Sequence, residues 1–455
     1  MRNVPTNAKR RGVGHLVALL LLCVFSTLGL AMVTVANSSL NKSDNLRGTA
    51  DALLAAESGL NFMTLTLGHI RLANDTTEAN FLPRLYDALS ARLDGSVNLN
   101  GQALLVDSTC IYVPSIQVSG RTFRCWIGWS GPSRCRLSVE GHAGLARRTV
   151  SLDYDLVGKL PGVFDYGLAS KGKITISGSA RVLGVNDYSE ANVLSATTST
   201  AESILISGSS VHVSGDLFAA GESSYVSIIG SPWIAGSSDP VEVAEHIHFG
   251  AETPDFPEVT TDHLRPLAVN VIDSTTKTIS GGVYNNVVIK ANTNPTFGNT
   301  AVFNGIVYIE QPNDVKFNGQ VTINGFIVTE PGGDPSTCKI EFAGTCDSNG
   351  MDILPDTPEF AAVKAETGTF LLAPGFETKF TGTFSTINGS VAADQLTFTG
   401  TAEGTIKGTV VGLKDLPTVV GGNVDIFVDR KTTDPNPTGF IKSLAFVPDP
   451  DSYLE

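Results

Sequence analysis

The sequence predicts a mainly β chain on one long N-terminal transmembrane helix, with a small antiparallel sheet and then a β-solenoid head of the right-handed β-helix kind. Three observations predict it. One charge-free apolar run, Leu16 to Ala36, is long enough to cross a bilayer. From Ala103 to Val157 the apolar period drops to two. From Pro161 onward, short β-branched triplets alternate with polar-glycine steps. A β-sandwich is the alternative for the head.

Composition narrows the classes. Of the 455 residues, 42% are hydrophobic and 17% charged, the reverse of a disordered chain. The 46 glycines follow no three-residue period, so collagen is excluded. The net charge of −14 argues against a nucleic-acid partner, because phosphate neutralisation needs a basic face.

The basic leader, residues 1–15, holds Arg2, Lys9, Arg10 and Arg11 and no acid. That bias places the N-terminus in the cytoplasm and the rest outside, a single pass through the cytoplasmic membrane. A cleaved signal peptide is the alternative, but the apolar run of residues 16–36 exceeds the usual core of about 7–15 residues. Helical spacing continues past Ala36 through Leu46, Ala50, Leu53, Leu54, Leu60 and Leu67. No proline occurs between Pro5 and Pro83, so one helix from about residue 14 to about residue 70 is expected. Leu53 and Leu60 would pack it against neighbours. Glu57 falls between them on the same stripe, where a carboxylate wants a partner.

Arg10-Arg11-Gly12, the leucine-rich span and Ala55-Ala56-Glu57-Ser58-Gly59-Leu60 resemble the N-terminus of the X-type minor pilins of type IV pilus assembly. They are similar, more distantly, to the large minor pseudopilin of type II secretion. The resemblance implies cutting by a prepilin peptidase after Gly12, making Val13 the first mature residue, with Gly14 a weaker site. It also implies packing of the helix with other pilin-like subunits. Major pilins carry a glutamate five residues into the mature chain; here Val17 stands there.

Residues 37–100 are expected as a helical stalk, with a polar stretch from 71 and a short amphipathic segment, Leu82 to Leu93. Residues 101–160 form the small sheet, with strands at Ile111–Val113, Arg136–Glu140 and Thr149–Leu156. The segment Val139 to Val150 resembles the two-strand ending of an X-type pilin head. Cys125 and Cys135 flank a Gly131-Pro132 turn and are a disulfide candidate, with Cys110 the alternative partner. Cys23 sits in the span.

The head is read as a solenoid over 161–330, continued as solenoid or other β-rich structure over 331–455. Ile174-Thr-Ile-Ser-Gly178, Ile204-Leu-Ile-Ser-Gly208, Val321-Thr-Ile-Asn-Gly325 and Ile406-Lys-Gly408 are typical steps. The Ser-Gly and Asn-Gly steps supply positive-φ corners, and the triplets are short for sandwich strands. Val315-Lys-Phe-Asn-Gly319 precedes Val321 at a six-residue offset. Gly162 to Lys173 resembles the start of β-helical heads fused to pilin-like N-termini, and the triplets are similar to those of bactofilins. Breaks are expected at Thr253–Pro266 and Pro331–Pro335. Cys338 and Cys346 have the spacing of a disulfide-closed loop. Met351 to Phe360 reads as a surface excursion, and Pro448 to Glu455 as a tail ordered only at its start.

No catalytic constellation is found, so a non-enzymatic protein without metal or cofactor is expected. There is no G-x-S-x-G, H-E-x-x-H or P-loop. His246 and His248 share one strand face, near Glu242, Glu245 and His263 in sequence, and are weighed as a metal pair. Asp187, Glu190, Asp216 and Asp239 are weighed as the carboxylates of a polysaccharide-cleaving solenoid, without a fixed register. The expected role is a minor pilin-like protein, anchored in membrane lipid or a filament, whose size favours a tip position. The alternative is a membrane-anchored adhesin or surface-polysaccharide binder, contacting its ligand through Trp233, Tyr225 and Tyr284.

Overall fold

The structure is a computed structural model describing residues 11–275, 278, 279, 281–431 and 437–455. Two compact units divide it: residues 1–159 with 443–455, and residues 160–442.

The first unit is a helix on an antiparallel sheet. Helix α1 runs from Arg11 to Gly68. Arg2, Lys9 and Arg10 lie outside the described residues. The expected stalk ends at Gly68; strand β1 (Arg71–Ala73) and helix α2 (Glu78–Leu93) follow. Phe81, Leu85, Leu89 and Leu93, one per helical turn, bury the inner side of α2. Strands β2 (Leu105–Val106), β3 (Cys110–Val118), β4 (Arg121–Gly131), β5 (Arg134–Ala143) and β6 (Ala146–Lys159) make a meander. The last strand of this sheet is Ser443–Leu454, inserted between β1 and β6, and every ladder is antiparallel.

That strand corrects the sequence reading in two ways. The tail is ordered to Leu454, and it belongs to the small sheet rather than to the head. Lys159 pairs with Ser443, so the chain leaves the sheet and returns to it on adjacent strands. The second unit is therefore an insertion between two paired strands.

In the second unit every ladder between named strands is parallel, and strands pair across successive turns of the chain. Ala301 pairs with Val321 and Val302 with Thr322, so one turn takes twenty residues there. Val315–Phe317 and Val321–Gly325 lie in consecutive strands of one turn, so the six-residue offset is not the coil repeat. Asn304-Gly305 and Asn324-Gly325 do not close hairpins; they bend single strands, Ala301–Ile309 and Val321–Thr329, with positive φ at the glycine.

The turns are not stacked in chain order. The chain starts mid-stack at Leu168–Ser170 and proceeds through Val193–Ser195 and Leu217–Ala220 to Ile247–Ala251 at one end. Residues 252–269 then cross to the opposite end, where Asn270–Ile272 begins a second series. That series advances through Gly282–Ile289, Ala301–Ile309, Val321–Thr329, Thr369–Phe380 and Ser390–Phe398 to Val410–Gly412. Val410 then pairs with Leu168, closing the last turn onto the first. The crossing covers ten inter-strand steps, roughly 48 Å at about 4.8 Å each. Eighteen residues, six of them in a 3-10 helix (Asp262–Leu267), reach about 50 Å. The predicted break at Thr253–Pro266 is this return segment.

Packing follows from the alternation of each strand. Leu168, Val193, Ile327, Leu371, Val391 and Val410 point into the coil core. Within it Phe297, Phe317, Phe342, Phe380 and Phe398 stack in a column, with centroids 4.8–5.2 Å apart and planes within 14°. Their neighbours Ala169, Leu194, Val328, Leu372, Ala392 and Val411 point outward into a second apolar cluster. Phe164, Leu264 and Phe440 cover that cluster, together with Met351, Leu354, Phe360 and Val363. The excursion expected at Met351–Phe360 does run over the surface, and its buried Met351, Leu354 and Phe360 make it a lid on that apolar face.

Candidate assembly helix and head cleft

Helix α1 has two halves of different character. Every residue from Gly14 to Arg47 is exposed. The apolar window within the helix has a mean hydropathy of 2.7 and none of it is buried. At about 1.5 Å per residue these 34 residues make a rod of roughly 50 Å, of which about 30 Å would fill a hydrocarbon core. Thr27 and Thr34 return their hydroxyls to the carbonyls of Val24 and Leu30 (2.9 and 2.6 Å), so neither leaves a donor bare. Gly12 and Val13 fall in the first turn, with their side chains outside the described residues.

The second half sits on the sheet through small residues. Ala52, Ala55, Ala56, Gly59, Leu60, Met63 and Leu67 are buried. A side chain on Gly59 would come within 2.5 Å of the Phe123 ring. The stripe therefore runs through Ala56 and Leu60, and Leu53 and Glu57 lie at its half-buried edge. Glu57 faces the C-terminal strand: burial, then the charges of Glu57 and Glu455, push the Tyr453 phenol up. Asp51 pairs with Arg121 at 2.5 Å, and Thr64 with the Tyr154 hydroxyl at 2.6 Å. Burial pushes that phenol up to about 12.

All six cysteines are free thiols. Cys125 stands opposite Val139, whereas Cys135 stands opposite Trp129, four positions along the same ladder. At about 3.4 Å per residue they are separated by roughly 13 Å, too far to bridge. Cys110 shares its row with Gly128 and Arg136, the solvent side, whereas Cys125 and Cys135 are in the core. Burial pushes the Cys125 thiol up to about 12. Cys338 and Cys346 both lie in the apolar core of the coils.

The polar residues weighed for chemistry have structural engagements. Asp216 takes His246 Nδ1 on one carboxylate oxygen and His248 Nε2 on the other, each at 2.8 Å. Glu242, Glu245 and His263 do not join them, and the described residues contain no cluster suited to a metal ion. Asp187 caps a 3-10 turn and Asp239 caps a short helix. Glu190 accepts from the backbone of Asn186 (2.7 Å), Arg430 and Lys431 (3.1 Å each), tying the first turn to the last. Trp233 and Tyr225 are exposed, whereas Tyr284 stacks on Phe303 at 5.1 Å and gives its hydroxyl proton to Gly281.

What sequence reasoning missed is a column of amides at one corner of the coils. Asn304 donates to Asn285 (2.9 Å), Asn324 to Asn304 (2.8 Å) and Asn349 to Asn324 (2.8 Å). Asn388 and then Lys407 continue the column, each followed by glycine. The Asn-Gly and Lys-Gly steps were the available signal, but unequal turns hide their alignment. At the end of the amide ladder lies a cleft of about 380 Å³. Asn388, Lys407, Thr369, Met351 and Asp352 line it, with Gly350 and Gly389 among its glycine walls.

Comparison with known proteins adds little beyond this geometry. No family model and no curated protein matches the chain. Among solved structures it is similar to the crystal structure of the competence-associated pilin ComZ from Thermus thermophilus. That match has 11% identity and a TM-score of 0.23, over 90% of this chain and 97% of the other.

Proposed function

We propose that the chain is a non-enzymatic, X-type minor pilin-like protein of a type IV pilus or type II secretion-like assembly. In this reading α1 crosses the cytoplasmic membrane once and packs with other pilin-like helices. The inserted head, a β-solenoid, projects on the outer side, at the filament tip or the cell surface. One observation supports it above others: the 34 residues from Gly14 to Arg47 are exposed throughout, while the next stretch of α1 is seated on the sheet through alanine and glycine. A helix so divided has an outer half available to lipid or to other helices. Prepilin peptidase would cut after Gly12. The N-terminal residue of the membrane-extracted protein, read by mass spectrometry, tests this. Val13 is the expected result, and an intact Met1 would overturn the filament reading and leave a plain anchor.

A second reading, a membrane-anchored adhesin or polysaccharide binder, is favoured by the polar cleft in the head and its one cation.

A further inference from the structure

We propose that the cleft between Gly350 and Lys407 binds an acidic saccharide, with Lys407 taking its carboxylate and Asn388 and the half-buried backbone of Gly350 and Gly368 taking its hydroxyls. The inference rests on the surface-binding reading of the head.

The cleft exists because the amide ladder is interrupted. After Gly350 the chain leaves the coil to build the lid and returns at Thr369. Asn388, in the next turn, gives its amide to the backbone carbonyl of Ser348 rather than to Asn349. Asn349 Oδ1 and Asn388 Oδ1 therefore accept no hydrogen bond from the described residues. Gly350, Gly368 and Gly389 have φ of 73°, 76° and 121°, conformations that favour glycine, so backbone forms the walls.

Charge selects the ligand. Every earlier position of the column holds an amide, and Lys407 puts an ammonium there. No carboxylate among the described residues lies within ion-pairing distance of it. Asp429, next along the corner, accepts from Asn186. Asp352 is exposed at the rim, placed to accept a hydroxyl. A half-buried cation without a counter-ion favours an anionic group on the ligand. A single cation with no arginine suits a carboxylate better than a phosphate dianion. Met351 is the one apolar side chain of the lining, and no aromatic ring lines it, so the rest of the ligand must be hydroxyl-rich. The volume is within the range of small-ligand sites, about 300–1,000 Å³.

The test is equilibrium binding of oligogalacturonate to the full chain in detergent, with the methyl-esterified oligomer as the uncharged control. The free acid is expected to bind at least tenfold more tightly than the ester. Lys407→Gln is expected to lose at least tenfold for the acid and little for the ester, and Lys407→Arg to retain most of the affinity. An unchanged thermal midpoint shows that the variants fold; Asn388→Ala tests the same cleft if Lys407→Gln does not. Acid binding that Lys407→Gln and Asn388→Ala leave unchanged would overturn this site while the head remained a binder. No binding of either oligomer would overturn the surface-binding reading as well.

Discussion

Gly141 of the sheet lies directly against the backbone of Ala52 in α1. A methyl group at 141 would overlap the Ala52 carbonyl oxygen and the Ala56 amide nitrogen. The helix is thus laid on β5 at the closest approach two backbones allow, and Gly59 on the helix side leaves room for the Phe123 and Val139 side chains. Gly141→Ala must lift the helix or bend the strand, a cost of about 1–3 kcal/mol. Denaturant unfolding of the full chain should show that loss, and Ser58→Ala, on the exposed side of α1, should not.

The phenylalanine column predicts a larger effect. Phe342 is buried and stacks between Phe317 and Phe380, at 4.9 and 4.8 Å. Phe342→Ala should destabilise the head by about 3–5 kcal/mol, and Phe342→Leu by less, since it retains most of the volume. The measurement is the unfolding free energy followed by near-ultraviolet circular dichroism.

The closure between first and last turns is expected to open first when Glu190 is removed. Burial works to raise its carboxyl, but the amide groups of Asn186 and Arg430 outweigh it and hold it below the usual range. A depressed carboxylate contributes stability that is present above its unfolded value and lost as pH falls through the folded one. Glu190→Ala should therefore cost about 1–3 kcal/mol at neutral pH and less in acid. Hydrogen exchange should rise first at the amides of Arg430 and Lys431.

Asp394 has the opposite sign. Burial raises its carboxyl, offset in part by the Gly375 amide and the charges of Lys414 and Lys171. A raised acid favours the folded state below its unfolded value and loses that contribution as pH rises through the folded one. Asp394→Asn should thus gain stability relative to the native chain at pH 7, and the gain should vanish near about pH 3, below the ordinary aspartate value of about 3.9. Thermal midpoints across that range decide it.

The register of the small sheet makes a covalent prediction. Peptide mapping without reduction should recover no Cys125–Cys135 link, because the two stand four ladder positions apart.

The parts of this protein legible in its sequence are those set by local chemistry. The charge-free run to Ala36 and the unbroken spacing to Leu67 marked a helix whose observed end is Gly68, because solvation and hydrogen bonding within one segment decide it. The period-two runs at Ile111–Val113 and Thr149–Leu156 marked strands for the same reason. The tertiary structure alone decided which segments lie side by side. Nothing in Ser443–Leu454 says that it pairs with β6 rather than with the head, since edge pairing depends on where the chain is brought back. Nothing in Leu168 or Val410 says that the two pair, since any parallel edge with an apolar inner row fits another. Leu53 and Glu57 stand seven and three residues before Leu60, a helical spacing, yet the sheet selected Ala52, Ala56 and Gly59, because backbone approach rewards the smallest side chains. Lys407 joined Asn388 only because turns of unequal length bring the same corner into one column.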